Sequence, residues 1–139
     1  MKPVHILLVE DNEGDIVLTR EALKEAKMSN EISVARDGEE ALAFLKAGPL
    51  PDLILLDINL PRMNGLELLE AIKGSPKLKV IPVIMLTTSI AERDIVDSFA
   101  KKANCFISKP VDLVSFMEVV KTIDDFWISI VKLPKIQLA

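Results

Sequence analysis

The chain has 139 residues, half of them apolar, with 17 lysines and arginines against 21 aspartates and glutamates, for a net charge of −4. That length and composition suit one domain, residues 1–139, and exclude a disordered polymer; the mild acidity without a basic stripe argues against direct DNA binding. A single cysteine, Cys105, rules out an intrachain disulfide, no leader-like N-terminus is visible, and no apolar run approaches the roughly 20 residues of a membrane helix. The expectation is a cytoplasmic chain without membrane insertion.

In chain order, Val4 to Val9 is a continuous apolar run, as a strand buried on both faces requires. Leu18, Ala22 and Ala26 then recur at helical spacing, and Ile32 to Ala35 forms a short edge strand. Asp37-Gly38 opens a second helix with a stripe of Ala41, Leu42 and Leu45, followed by a strand at Leu53 to Leu56. Asn64-Gly65 opens a third helix on Leu66, Leu69 and Ile72, and Val83 to Leu86 is a fourth buried strand. Cys105 to Ile107 is a second edge strand. Asp112 caps a last, long helix with Phe116, Val119, Val120, Ile123 and Trp127 on one face. Pro51, Pro82 and Pro110 stand where helices cannot continue. The alternation of strand and helix predicts an open, doubly wound α/β sheet of five parallel strands, whose ligands bind at the strand carboxyl ends.

Those ends carry an unusual set of side chains: Glu10-Asp11, Asp57-Ile58-Asn59, Thr87-Thr88-Ser89 and Ser108-Lys109-Pro110. Two carboxylates about 4 Å apart repel by roughly 4 kcal/mol at an effective dielectric near 20, so three in one crevice need a cation or a proton. Oxygen ligands without His or Cys select a hard ion, and Mg²⁺ suits a cluster with room for water. A carboxylate nucleophile, a divalent cation, Lys109 and the Thr87 hydroxyl are what phosphoryl transfer asks for, with an aspartyl phosphate on Asp57 as product. Singly, each residue has a plainer explanation in a turn, a cap or a solvated surface; together they favour chemistry.

Val9-Glu10-Asp11, Leu56-Asp57-Ile58-Asn59-Leu60-Pro61 with Gly65, Leu86-Thr87-Thr88-Ser89 and Ser108-Lys109-Pro110 resemble the receiver domains of two-component response regulators over nearly the whole chain. The resemblance implies a flavodoxin-like, CheY-like sheet of order 2-1-3-4-5, an order for which the chemotaxis receiver is a standard illustration. It implies that Asp57 takes a phosphoryl group from a sensor histidine kinase. Mg²⁺ would be held by Asp11, Asp57 and the backbone carbonyl of Asn59, with Glu10 acting through water. Thr87 and Lys109 would bind phosphoryl oxygens, Lys109-Pro110 would be a cis peptide, and Phe106 would turn inward on activation. Many relatives carry Tyr where this chain has Phe106, so a signal that needs a phenolic hydroxyl is not expected.

The segment from Asn104 to Leu113, continuing into Ile123-Asp124-Asp125-Phe126-Trp127 and Leu133-Pro134, is similar to single-domain regulators paired with phytochrome-type kinases. That likeness implies a homodimer through the fourth helix, fifth strand, last helix and a C-terminal extension at about residues 125–139. A stand-alone regulator of this kind has no effector domain, so its output is protein contact. It is not an enzyme beyond its own phosphorylation from phosphohistidine and slow autodephosphorylation.

An alternative is a haloacid-dehalogenase-like aspartyl-phosphate phosphohydrolase. Such enzymes place Asp-x-Asp after the first strand, whereas here the nucleophile follows the third and Asn59 takes the second position. Flavin or nucleotide binding is opposed by the acidic first loop, Glu10-Asp11-Asn12-Glu13, which repels phosphate.

Overall fold

The computed structural model describes residues 4–25, 30–88, 105–109 and 111–122, with residues 105 and 119–122 described by backbone alone. Five strands, β1 (Val4–Val9), β2 (Asn30–Ala35), β3 (Leu53–Asp57), β4 (Val83–Thr87) and β5 (Cys105–Ser108), form one parallel sheet in the order β2-β1-β3-β4-β5. The short runs predicted as edges are the edges. The described helices are α1 (Glu13–Lys24), α2 (Gly38–Ala47), α3 (Gly65–Lys73) and α4 (Leu113–Thr122). None is long and apolar enough to cross a membrane.

Because side chains alternate across a strand, each apolar run supplies two cores. On one face Leu7, Val9, Ile54, Leu56, Val83 and Met85 pack against Ala41 and Leu45 of α2 and Leu68, Leu69 and Ile72 of α3. On the other, Ile6, Leu8, Leu53, Leu55, Ile84, Leu86 and Ile107 meet Ile16 and Leu23 of α1 and Phe116 of α4. The central strands are therefore dry on both sides, which fixes their register and the level at which they end.

The α1 stripe differs from the predicted one. Its buried residues are Ile16, Thr19 and Leu23, while Val17 and Leu18 are each 50% exposed. Ile16-Val17-Leu18 is an apolar triplet, so local pattern leaves the helix phase open; the fit of Ile16 and Leu23 against the sheet decides it. Strands β3 and β4 also run one residue further than their apolar runs, so Asp57 and Thr87 are strand residues.

Helix starts follow their capping residues. Asn12, Asp37 and Asn64 accept from the backbone N–H of Asp15, Glu40 and Glu67, and Asn64 with Glu67 forms a full capping box. Asp112 accepts from Ser115 N–H at 2.8 Å and from the Ser115 hydroxyl at 3.0 Å, and these bonds hold its carboxyl below the usual range. The predicted fourth helix, Ser89, Pro110 with its cis peptide, Ile123, Trp127 and the C-terminal extension lie outside the described residues.

Candidate functional site

Parallel pairing brings the strand ends to one level. Val9 pairs with Leu56, Asp57 with Leu86, and Thr87 with Ser108, so Glu10, Asp57, Thr87 and Lys109 emerge side by side. Two backbone bonds seat the flanking residues: Glu10 N–H donates to Ala35 O at 3.0 Å, and Lys109 N–H donates to Thr87 O at 2.8 Å.

Glu10 and Asp57 are buried and Asp11 is exposed, yet each offers a carboxylate oxygen within 4.8 Å of the others. Lys109 enters from β5. Its Nζ lies 3.0 and 3.3 Å from the two oxygens of Glu10 and 3.2 Å from Asp57 Oδ2. It also lies 3.1 Å from Asp15 Oδ2. Asp15 was missed in the sequence. No local signal marked it: it sits in the first turn of α1, where an acid is ordinary beside the helix N-terminus.

One ammonium does not balance this set. Burial, reinforced by hydrogen bonding and charge from Asp57, pushes the Glu10 carboxyl up to about 9 despite the opposing pull of Lys109. For Lys109 burial acts downward, but the bond to Glu10, the Asp57 charge and the bond to Asp15 outweigh it and raise the ammonium above its ordinary value. Without another cation the pocket thus favours a proton on Glu10. The donor chemistry fits a hard divalent ion: three carboxylates converge, and His5 is engaged elsewhere, with Nε2 2.9 Å from Ser33 Oγ.

Thr87 Oγ1 is buried with no hydrogen-bond partner among the described residues. A hydroxyl so placed can donate to a ligand oxygen that reaches it. Asn59 N–H points to Asp57 Oδ1 at a long 3.4 Å, and Asn59 itself is exposed. Gly65 N–H donates to Ile58 O at 2.9 Å, and a Cβ on Gly65 would run into the Asp57 carbonyl oxygen. That glycine is required for the strand end to pack on α3. Phe106 pairs with Met85 across β4 and β5 and is half-buried against the core beneath α2 and α3.

The arrangement suits a carboxylate that receives a phosphoryl group between a cation site and a lysine. The phosphohydrolase alternative is not supported: the candidate nucleophile ends the third strand in the chain rather than following the first.

Residues 6–121 match the family model described as the response regulator receiver domain. The chain is 43% identical over 138 residues to response regulator Rcp1 of Synechocystis sp., covering 95% of this chain and 94% of that protein. A structure of the Mn(2+)-bound form of Rcp1 superposes with a TM-score of 0.71 at 42% identity, covering 93% of this chain and 97% of that one. The bacteriophytochrome response regulator AtBRR gives a TM-score of 0.85 at 42% identity, covering 91% and 96%. The phosphorylated cyanobacterial phytochrome response regulator RcpA gives 0.74 at 45% identity, covering 92% and 96%.

Proposed function

The chain belongs to the response regulator receiver domain family, and from that premise we propose that Asp57 is the residue that takes a phosphoryl group from a phosphohistidine of a sensor histidine kinase. An Asp57 carboxylate oxygen forms a bond to phosphorus as the histidine nitrogen–phosphorus bond breaks, and the imidazole leaves. Lys109, already 3.2 Å from Asp57 Oδ2, stays an ammonium and offsets charge on the transferred group. The Thr87 hydroxyl, which has no partner among the described residues, donates to a phosphoryl oxygen.

Mg²⁺ is the ion proposed for the acidic cluster, held by Asp11, Asp57 and the Asn59 carbonyl, with Glu10 acting through water. When bound it neutralises negative charge on the reacting group. The Mn(2+)-bound form of the relative Rcp1 and the converging carboxylates support a divalent ion here. The names of AtBRR and RcpA support a phytochrome-type kinase as partner. A homodimer, a cis Lys109-Pro110 peptide, slow autodephosphorylation, an inward-turning Phe106 and a cytoplasmic setting complete the proposal.

The observation that carries the reading is the meeting of Glu10, Asp11 and Asp57 within 4.8 Å beside Lys109 and the buried Thr87 hydroxyl. The test is incubation with acetyl phosphate and Mg²⁺. Wild-type protein is expected to gain one phosphate by intact mass, lost in hydroxylamine, and Asp57→Asn to gain none. Persistent labelling of Asp57→Asn overturns the assignment.

A further inference from the structure

The segment that leaves Asp57 is tied down at both ends. At its base Gly65 N–H donates to Ile58 O at 2.9 Å. At its tip Met63 O accepts from the N–H of Gly38, the first residue of α2, at 3.0 Å. Next to Met63, Arg62 has a φ of 61°, the left-handed region that a side chain disfavours and that persists only when its surroundings hold it. Arg62 Nη1 lies 3.4 Å from Asp37 Oδ2. Asp37 is buried, and its other oxygen accepts from Glu40 N–H at 2.8 Å to cap α2.

Capping alone does not explain this pair. A cap needs one carboxylate oxygen, and helix propensity favours alanine over glycine at position 38. Glycine is demanded by Met63, because a Cβ on Gly38 would run into the Met63 carbonyl oxygen and its Cβ. The Arg62 side chain is 67% exposed, so its ion pair is the weaker fastening and the Gly38–Met63 approach the stronger.

We propose that Asp37 and Gly38 are positioning residues for the phosphoryl-acceptor site: the start of α2 clamps the tip of the 58–64 segment and so sets the Asn59 main chain and the exit of Asp57. This rests on the reading of Asp57 as acceptor and the adjoining acids as the cation site. The clamp touches neither cation nor phosphate. It acts by holding the loop whose backbone supplies a ligand, as supporting residues do around metal sites.

The test uses the full chain, unphosphorylated, in two readouts: hydrogen–deuterium exchange of residues 58–64 without metal, and Mg²⁺ titration by calorimetry. In Gly38→Ala the segment is expected to exchange at least about tenfold faster and Mg²⁺ to bind about three- to tenfold more weakly, with exchange in β1 and β4 unchanged. Asp37→Asn keeps a good cap but loses the charge on Arg62, so a smaller change of the same kind is expected, about threefold in exchange. It decides the matter if Gly38→Ala does not fold. Wild-type exchange at 58–64 and wild-type Mg²⁺ affinity in the folded variants overturn the proposal, even where melting temperature falls. Failure of wild-type protein to take phosphate from acetyl phosphate overturns the acceptor reading instead, and the exchange result then still reports on the clamp.

Discussion

At Thr87 a hydroxyl is wholly buried with no hydrogen-bond partner among the described residues, and a buried hydroxyl left unpaired costs about 1–3 kcal/mol. On the proposed reading a phosphoryl oxygen on Asp57 supplies the acceptor, so Thr87 would favour the phosphorylated form. Thr87→Val keeps the shape and removes the hydroxyl. It is expected to raise the stability of the unphosphorylated protein by about 1 kcal/mol in urea denaturation and to shrink the phospho-dependent NMR shifts of β4 and β5. A variant less stable than wild type counts against this account. Thr87 was legible in the sequence through its place at a strand end beside an acidic cluster. Asp15 was not singled out, because its importance comes from Lys109, 94 residues away in the chain, reaching it at 3.1 Å.

Among the elements, α3 shows how local code and tertiary contact divide the work. Its start is written in Asn64 and Glu67, which satisfy each other's backbone N–H groups at 2.9 and 3.1 Å. Asn64→Ala is expected to cost about 1 kcal/mol by chemical denaturation, and Asn64→Asp far less, since aspartate caps as well. Equal losses from the two substitutions would rule out capping as the cause. The same code is silent on the residue after the cap: that Gly65 must lack a Cβ because the Asp57 carbonyl lies against it is a contact between a helix and the strand before it. In α1 the local pattern misleads, since three consecutive apolar residues fit more than one helix phase and only Ile16 faces the core.

For the whole molecule the acidic pocket sets a pH dependence. Burial beside Asp57 raises Glu10 from 4.5 to about 9, so the fold favours its neutral form. The sign follows by linkage: Glu10's contribution is fully present below the unfolded carboxyl value near 4.5 and is lost as pH climbs towards about 9. The metal-free protein is therefore expected to lose melting temperature across that window, and Glu10→Gln to flatten the decline. Saturating Mg²⁺, the ion proposed for this cluster, is expected to restore wild-type stability most at the alkaline end. Parallel melting curves for wild type and Glu10→Gln from about pH 5 to 9 would remove Glu10 as the source. Lys109 has no part in this window, because its pairings keep it an ammonium throughout.

Apolar runs long enough for strands covered on both faces, caps at helix starts, and acids, threonine and lysine at or just past the strand ends are local features, so the sequence alone determined the α/β class and which side chains stand at the carboxyl ends. The five-strand order also followed from the motif resemblance. Tertiary structure decided which face of α1 is buried, that Asp15 shares Lys109 with Glu10 and Asp57, and that Gly38 is pressed against Met63. The division has one physical reason: periodicity and capping are properties of neighbouring residues. Charge balance and close approach depend on distances between residues remote along the chain, which exist only once the sheet has brought them together.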